Sequence, residues 1–464
     1  MKRTYYIYLL LAAALTVSCK KLIEVPSVPY GYVTSAQAFG DSADIMSSFA
    51  GIYINFQSEV GPALPLQEYM GLASDELVFG ENPQYYPDYV IYASNSLIAS
   101  DAQAGSFWSS MYGSQSLYQI NVCLEGIRGN TAISAALNQQ LMGELHVLRA
   151  VYYFQLANLF GGVPLVTSTN YAVTQSVPRT SKDSVYAWIQ TELDSAVQLL
   201  TPVYPYTNKA RPNVYVAQAL KAKVYLYMKQ WADAANAVTT VMNTGAYQLE
   251  QNLNNVFLDG STEALWQIPG VSNSVQTNEG ATFVPYSSGI IPTWYLTPFL
   301  LKAFEPGDGR LTNWVGMNSV TDDNGATTNY YYPNKYKNNS IGLTPLEDEM
   351  VLRLGELYLI RAEALAEQGK LDSAKADLDV LRSRAGLSGV TAASQTDVLT
   401  AVLHERQVEL FTEWGNRWFD LVRTGAADTV LGKEKPGWQS HQALLPIPLN
   451  EIQLNSKLTQ NSGY

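Results

Sequence analysis

The chain has 464 residues, 47% hydrophobic and 15% charged, which is enough apolar mass for one large or two medium folded units and too much for a disordered chain. A formal net charge of −12 argues against a general phosphate-binding surface, because nucleic-acid binding draws most of its affinity from lysine and arginine; neutral or cationic ligands fit better. With 31 tyrosines and 9 tryptophans against 3 histidines, recognition by flat aromatic surface is expected ahead of imidazole or metal chemistry.

Residues 1–18 read as a signal peptide, since Lys2 and Arg3 precede the apolar run "YYIYLLLAAALTVS", which is too short to span a bilayer comfortably. The run ends in "LTVSC", similar to a bacterial lipobox with Thr16 where an aliphatic residue is more usual. That similarity implies acylation of Cys19 as the mature N-terminus. Residues 19–40, interrupted by Pro26, Pro29 and Gly31, then form an extended lipidated tether. Acylation leaves Cys123 as the remaining thiol, so no intrachain disulfide is expected; within "YQINVCLEGI" it sits on an apolar helical pattern and reads as a core residue. No second apolar segment approaches membrane-spanning length.

Apolar residues at three- and four-residue spacing predict helices over 41–57, 104–128, 134–160, 181–200, 212–244, 348–385 and 395–424. Thr180 or Ser181 offers a cap, and Gly245 and Gly369 fall where periodic runs stop. Two blocks look like variants of one repeat, "AQALKAKVYLYMKQWADAANAVTTVMNTG" and "GELYLIRAEALAEQGKLDSAKADLDVLRSRAG". Each gives two helices joined by a short break, with Ala219, Ala222, Ala362, Ala364 and Ala374 at positions where small side chains let helices approach closely, a tetratricopeptide-like pattern. Between them, 61–99 and 246–346 are rich in Tyr, Asn, Gly, Pro and Ser and read as long irregular loops with short strands. The turn "DDNG" at 322–325 reads as a hairpin, and it lacks the alternating ligands and distal Glu of a calcium loop.

The stretch "HERQVELFTEWGNRWFDLVRTG", 404–425, places Glu405, Glu409, Glu413 and Arg417 four residues apart, one face of a single helix. Paired carboxylates suit glycoside hydrolysis, whereas an acid row ending in Arg, beside Trp414 and Trp418, suits a structural brace. His404 and Glu405 start like a metalloprotease pair, but Val408 stands where the second histidine belongs. No nucleophile elbow, Walker loop or Cys/His metal cluster occurs in the sequence.

Five segments in order resemble the SusD/RagB family of outer-membrane nutrient-binding lipoproteins of Bacteroidetes: "LRAVYYFQLANLFGGVPLVT", the two repeats, the 404–425 stretch with its Arg-Trp-Phe-Asp-Leu core, and the ending "LLPIPLNEIQLNSKLTQNSGY". The resemblance implies a mostly α fold, a tetratricopeptide-like helical-pair scaffold with long loops and short strands, as one domain over 41–464 with its repeats mainly at 104–245 and 348–424. It also implies that the 404–425 stretch is a brace. The implied role is that of a non-enzymatic lipoprotein, anchored by lipid to the outer membrane and exposed at the cell surface. There it would capture an oligosaccharide and deliver it to a SusC-like TonB-dependent transporter, with no cofactor, no bound metal and no nucleic acid. Two alternatives stay open: import of peptides, as in the RagB branch, and hydrolysis by loop carboxylates such as Asp75, Glu76 or Glu279.

The family's ligand residues lie in variable loops, so the candidates come from chemistry. Sugars present apolar C–H faces rimmed by hydroxyls, and they call for aromatic planes with neighbouring amides. "DELVFGENPQYYPDYVIY" offers Tyr85, Tyr86 and Tyr89 beside Asn82, Gln84 and Asp88; "VQTNEGATFVPYSSGIIPTWY" offers Phe283, Tyr286 and Trp294 beside Gln276 and Asn278. If Cys19 carries the anchor, Cys19→Ala is expected to release the chain from membranes or leave it unprocessed; an unmodified Cys19 inside an intact mature chain, seen by mass spectrometry, would end that reading.

Overall fold

Helix starts follow residues that can accept hydrogen bonds from exposed backbone N–H groups. In the computed structural model, which describes residues 34–58, 63–206, 208–270 and 274–464, Asp41 caps α1 (Ser42–Gln57) by accepting from two backbone amides. The signal peptide, Cys19 and the tether up to residue 33 lie outside the described residues. The tether's last residues are not extended: Ser35–Ala38 form one helical turn capped by Thr34. Next come α2 (Ala63–Ala73), β1 (Leu77–Phe79), α3 (Pro87–Ala93), α4 (Ala102–Tyr112), α5 (Leu117–Ile127) and α6 (Ala135–Phe160). Ser134 caps α6, which ends at Gly161 with φ 75°. Ser181, not Thr180, caps α7 (Lys182–Leu199).

The predicted helical pairs are present as α8 (Val214–Tyr227) with α9 (Trp231–Met242), and α11 (Leu354–Glu367) with α12 (Leu371–Arg384). Helices α6, α7, α8, α9, α11 and α13 (Gln395–Glu409) pack in sequence against one another, with α12 against both α11 and α13. Ala219, Ala222, Ala362, Ala364 and Ala374 are all buried, as their small size requires at close helix contacts. Gly245 and Gly369 take positive φ past the ends of α9 and α11. Cys123 is buried and free, and burial pushes its thiol up to about 12, the state of an inert core residue.

Among the described residues, three two-stranded antiparallel sheets decorate the helices: β1 with β3 (Trp294–Leu296), β2 (Ala264–Pro269) with β6 (Asp348–Arg353), and the hairpin of β4 (Val315–Thr321) and β5 (Thr327–Pro333) around "DDNG". A short helix, α10 (Asn278–Phe283), precedes β3. Four expectations change. The 61–99 loop begins with a buried helix, α2. The 104–128 helix is two, broken at 113–116, where a side chain on Gly113 would stand 2.4 Å from the Ser109 carbonyl. Residues 348–353 form a strand, because they pair with β2. The 395–424 helix stops at Glu409 and restarts as α14 (Asn416–Thr424).

That last break explains the acid row. Thr412, Trp414 and Gly415 have φ of 51°, 50° and 67°, a left-handed turn that two non-glycine residues adopt only under constraint. The constraint is visible in the partners: Lys335 donates to the Glu409 and Phe411 carbonyls, Arg353 to the Glu409 carbonyl, and the Trp414 indole to Met350 O. Glu413 and Arg417 therefore do not share a helix face or pair with each other. Glu413 binds Arg353 and Lys335, while Arg417 makes a two-point bond to Asp75, Nε to Oδ1 at 2.7 Å and Nη2 to Oδ2 at 2.6 Å.

Glu409 is fully buried and accepts from Arg353 at 2.6 Å and Arg310 at 3.2 Å, with Arg384 also in contact. Burial alone would raise its carboxyl, but Arg384, Arg353 and Arg310 outweigh it and hold it well below the usual carboxylate range. Arg310 and Arg382 bind Glu405, Arg353 and Arg384 share Glu263, and Trp314 lies against Arg353, Arg384 and Lys335. Removing one member strands buried carboxylates. Arg353→Ala is expected to cost about 3–5 kcal/mol, read as a lower urea midpoint; an unchanged midpoint would refute the brace.

A second buried acid pair makes no ion pair among the described residues. Glu279 on α10 and Glu349 on β6 are buried; Gln67 Nε2 donates to Glu279 Oε1 at 2.8 Å, while Glu279 Oε2 and both Glu349 oxygens lack a protein partner. Burial pushes the Glu279 carboxyl up to about 7 and the Glu349 carboxyl well above its ordinary value, with Glu279 adding to the latter. A raised carboxyl stabilises the fold while protonated, so this contribution is full below the ordinary value of 4.5 and is lost as pH climbs through about 7. Glu349→Gln is expected to melt close to the parent near about pH 5 and increasingly above it toward about pH 9; a gap that does not widen with pH excludes the ionising pair.

Candidate functional site

The pairing of β1 with β3 stitches the two aromatic regions together, Phe79 opposite Trp294 and Leu77 opposite Leu296. Gly80 continues the contact, its N–H donating to Thr293 O at 2.8 Å; a side chain there would stand 2.2 Å from the Pro292 carbonyl, so the close approach needs glycine. Thr293 Oγ1 donates to Glu81 at 2.9 Å, and Asn318 of β4 ties down the 286–290 loop by donating to Ser287 O and Ile290 O.

Around this seam the rings form one cluster. Phe79 meets Tyr86, Tyr89 and Trp294 at centroid distances of 4.9, 4.7 and 5.1 Å; Tyr86 and Tyr89 stack at 5.9 Å; Trp294 contacts Tyr89 at 4.9 Å and Phe283 at 6.4 Å. Edge-to-face and offset contacts of this kind add to the burial energy and fix ring orientation.

The sequence candidates thus divide into two sets. Tyr85, Tyr86 and Tyr286 are 75%, 40% and 85% exposed, with Tyr89 half-buried between Tyr86 and Trp294. Phe283 and Trp294 are 4% and 2% exposed: they are core rings and cannot stack on a ligand in this conformation. Asn82 is exposed, its Oδ1 accepting from Gln84 N as the cap of a short turn. Gln276 is spent on Asn338, Glu347 and Leu343, and Asn278 donates to Gln57 O, so both hold the fold together.

Beside the cluster lies a cleft of about 530 Å³ that the sequence did not suggest. Its aromatic wall is Tyr69, Tyr89 and Phe107, in mutual contact through Tyr69 at 4.9 and 5.9 Å; Pro65 and Glu68 of α2 and Asn55 of α1 form one side. The other side is polar: Gln103, Ser106, Ser109 and Ser110 of α4 and the 113–116 turn. The available signal was "GSFWSSMYGSQS", a helix crowded with serine and glycine that neither favour helix nor fill a core. Burial, seconded by mutual contact and the nearby Glu68 and Asp88, pushes the Tyr69 phenol well up; burial followed by Glu68 does the same for Tyr89, so both remain neutral hydroxyls.

The carboxylates that hydrolysis would need are elsewhere. Asp75, Glu76 and Glu279 are all buried, Asp75 bound by Arg417 and Glu76 accepting from Thr412 N. Burial, with Asp75 close by, pushes Glu76 up to about 8. Glu305, His404 and Glu405 bring three donor atoms within 4.8 Å of one another, but Arg382 binds both carboxylates and Arg310 binds Glu405, and His404 Nε2 is engaged with Ala303 O. A cation there would meet two guanidinium groups. Among the described residues, no helix is long and apolar enough to cross a membrane.

Residues 277–464 match the family model of the SusD family, and residues 80–226 one described as "Starch-binding associating with outer membrane". The SusD-like protein P25 of Formosa agariphila is 22% identical, over 96% of this chain and 97% of its own. The starch-binding protein SusD of Bacteroides thetaiotaomicron is 36% identical over 26% of this chain and 22% of its own. A laminarin-binding SusD-like protein of solved structure shares the fold with a TM-score of 0.77 at 24% identity, over 91% of this chain and all of its own. The two matched segments contain the α4 side of the cleft, Tyr86, Tyr89, β3 and the arginines that converge on Glu409, and the chain belongs to the SusD/RagB family.

Proposed function

We propose that the chain is a cell-surface lipoprotein, anchored to the outer membrane through Cys19, that captures an oligosaccharide and delivers it to a SusC-like TonB-dependent transporter. The observation that carries the binding role is Tyr89: one ring both lines the polar-aromatic cleft and stacks with the exposed Tyr86. A sugar chain lying along Tyr85, Tyr86 and Tyr286 would meet aromatic planes for its C–H faces and, in the cleft, serine and amide groups for its hydroxyls. The relatives named for starch and laminarin favour a glycan over a peptide. The lipobox-like "LTVSC" supports the anchor, and anchoring raises the local concentration of a weak binder beside its partner.

Within this reading the rings have separate duties. Alanine at Tyr86 is expected to weaken glycan binding about tenfold, ~1.4 kcal/mol, with the melting temperature unchanged. Alanine at the buried Trp294 is expected to destabilise the fold by about 3–5 kcal/mol. Calorimetry against an oligosaccharide panel, with oligopeptides in parallel, checks both. Full affinity after joint replacement of Tyr85, Tyr86, Tyr89 and Tyr286 would place the site elsewhere, and binding of peptides alone would replace the glycan reading.

A further inference from the structure

The 29 lysines and arginines are distributed unevenly: none occurs between Lys21 and Arg128, and none between Lys229 and Lys302. Every residue that lines the cleft comes from the first of these stretches, and every ring of the aromatic cluster comes from one or the other. The β1–β3 pairing thus brings two cation-free stretches to one place. Acids are present there: Glu68 lines the cleft, and Asp88 and Glu81 flank the tyrosines. Elsewhere many of the basic side chains are turned inward, as with Arg310, Arg353, Arg384 and Arg417.

The hydrogen-bonding sense of the cleft agrees with its charge. Ser106, Ser109 and Ser110 each donate their hydroxyl proton back to a carbonyl of their own helix, Ala102 O, Ser106 O and Phe107 O at 3.2, 3.2 and 3.0 Å. Their oxygens face the cleft side of α4 as acceptors. That makes the serine row of α4 a set of acceptors for the hydroxyl donors of a sugar, beside the acidic Glu68 and the neutral amides of Gln103 and Gln115. A carboxylate or sulfate carries acceptors alone and needs arginine, lysine or backbone donors to offset its desolvation.

Resting on the glycan reading above, we propose that the cleft selects uncharged oligosaccharides and rejects uronate-bearing and sulfated ones. Two causes act together: like-charge repulsion from Glu68 in the cleft and the neighbouring Asp88 and Glu81, and the α4 serine row, which offers acceptors to an acceptor-only group. The first is screened by salt over about 8–10 Å and the second is not.

The test is calorimetry of the full-length chain with matched pairs: maltoheptaose, laminarihexaose and xylohexaose, each against its C6-oxidised or sulfated counterpart where the chemistry permits one. The neutral member of a bound pair is expected to bind at least about tenfold tighter at low salt, with the ratio narrowing but not vanishing as sodium chloride is raised. Ser109→Lys with Gln115→Lys, two exposed positions on the cleft wall, is expected to shrink that ratio by tightening the anionic member relative to the neutral one. Equal or tighter binding of the anionic member, or a ratio that the two lysines leave unmoved, overturns the proposal. Binding of neither member of any pair overturns the glycan reading itself, and this inference with it.

Discussion

Glu409 is the acid on which three arginines converge, and the rest of the architecture is arranged so that they can. An isolated buried carboxylate is expensive, and a buried pair is worth having only when the remaining lone pairs and N–H groups are met. Here they come from far apart in sequence: Arg310 within the second loop region, Arg353 at the end of β6, Arg384 at the end of α12. Each reaches Glu409 only if its own element is in place. Glu263, shared by Arg353 and Arg384, adds the edge of β2. The network therefore acts as a register pin: it gives correct packing an advantage over near-native packings in which one of these charges would be left alone.

The same pin sets the geometry of the exposed tyrosine face. Arg353 and Lys335 hold the carbonyls at the end of α13, which lets the chain turn through the left-handed residues Thr412, Trp414 and Gly415 and restart as α14. From α14, Arg417 grips Asp75, and from the turn, Thr412 N binds Glu76. Those two acids immediately precede β1, whose pairing with β3 seats Phe79 against Trp294. Exposed Tyr86 is therefore supported by Phe79, and through it by buried rings. A ring held in place before the ligand arrives loses less conformational freedom on binding, which matters when each contact is weak.

How far the sequence disclosed this depended on where the cause lay. The repeat pairs were legible because Ala219, Ala222, Ala362 and Ala374 record a local need, small side chains at helix contacts. Capping by Asp41, Ser134 and Ser181 is also local. The break after Glu409 was hidden, since four-residue spacing of acids fits a continuous helix equally well and the turn exists because Lys335 and Arg353, distant in sequence, bind its carbonyls. Composition singled out two aromatic regions that β1–β3 pairing joins, but it could not say which ring faces inward: Trp294 and Tyr295 are neighbours, and pleating sends one into the core while the other meets Tyr330. The cleft was missed because its polar wall is a helix, α4, and polar helix residues read as ordinary solvent-facing positions.

The placement of charge ties stability to recognition. Arginine is the side chain that best meets buried carboxylates, through a planar fork that stays charged, and it is equally the side chain that best meets sulfate, phosphate and uronate at a surface. A chain with 29 basic residues against 41 acids that commits so many arginines to its interior has fewer left to display, and the two cation-free stretches are where that shortage falls. The exterior left behind is acidic, which favours solubility and disfavours association with other polyanions. Binding at such a face has to come from aromatic area and neutral hydrogen bonds, terms that salt barely changes. An arrangement of that kind keeps its affinity in media of varying ionic strength, where a site built on surface ion pairs would lose much of it.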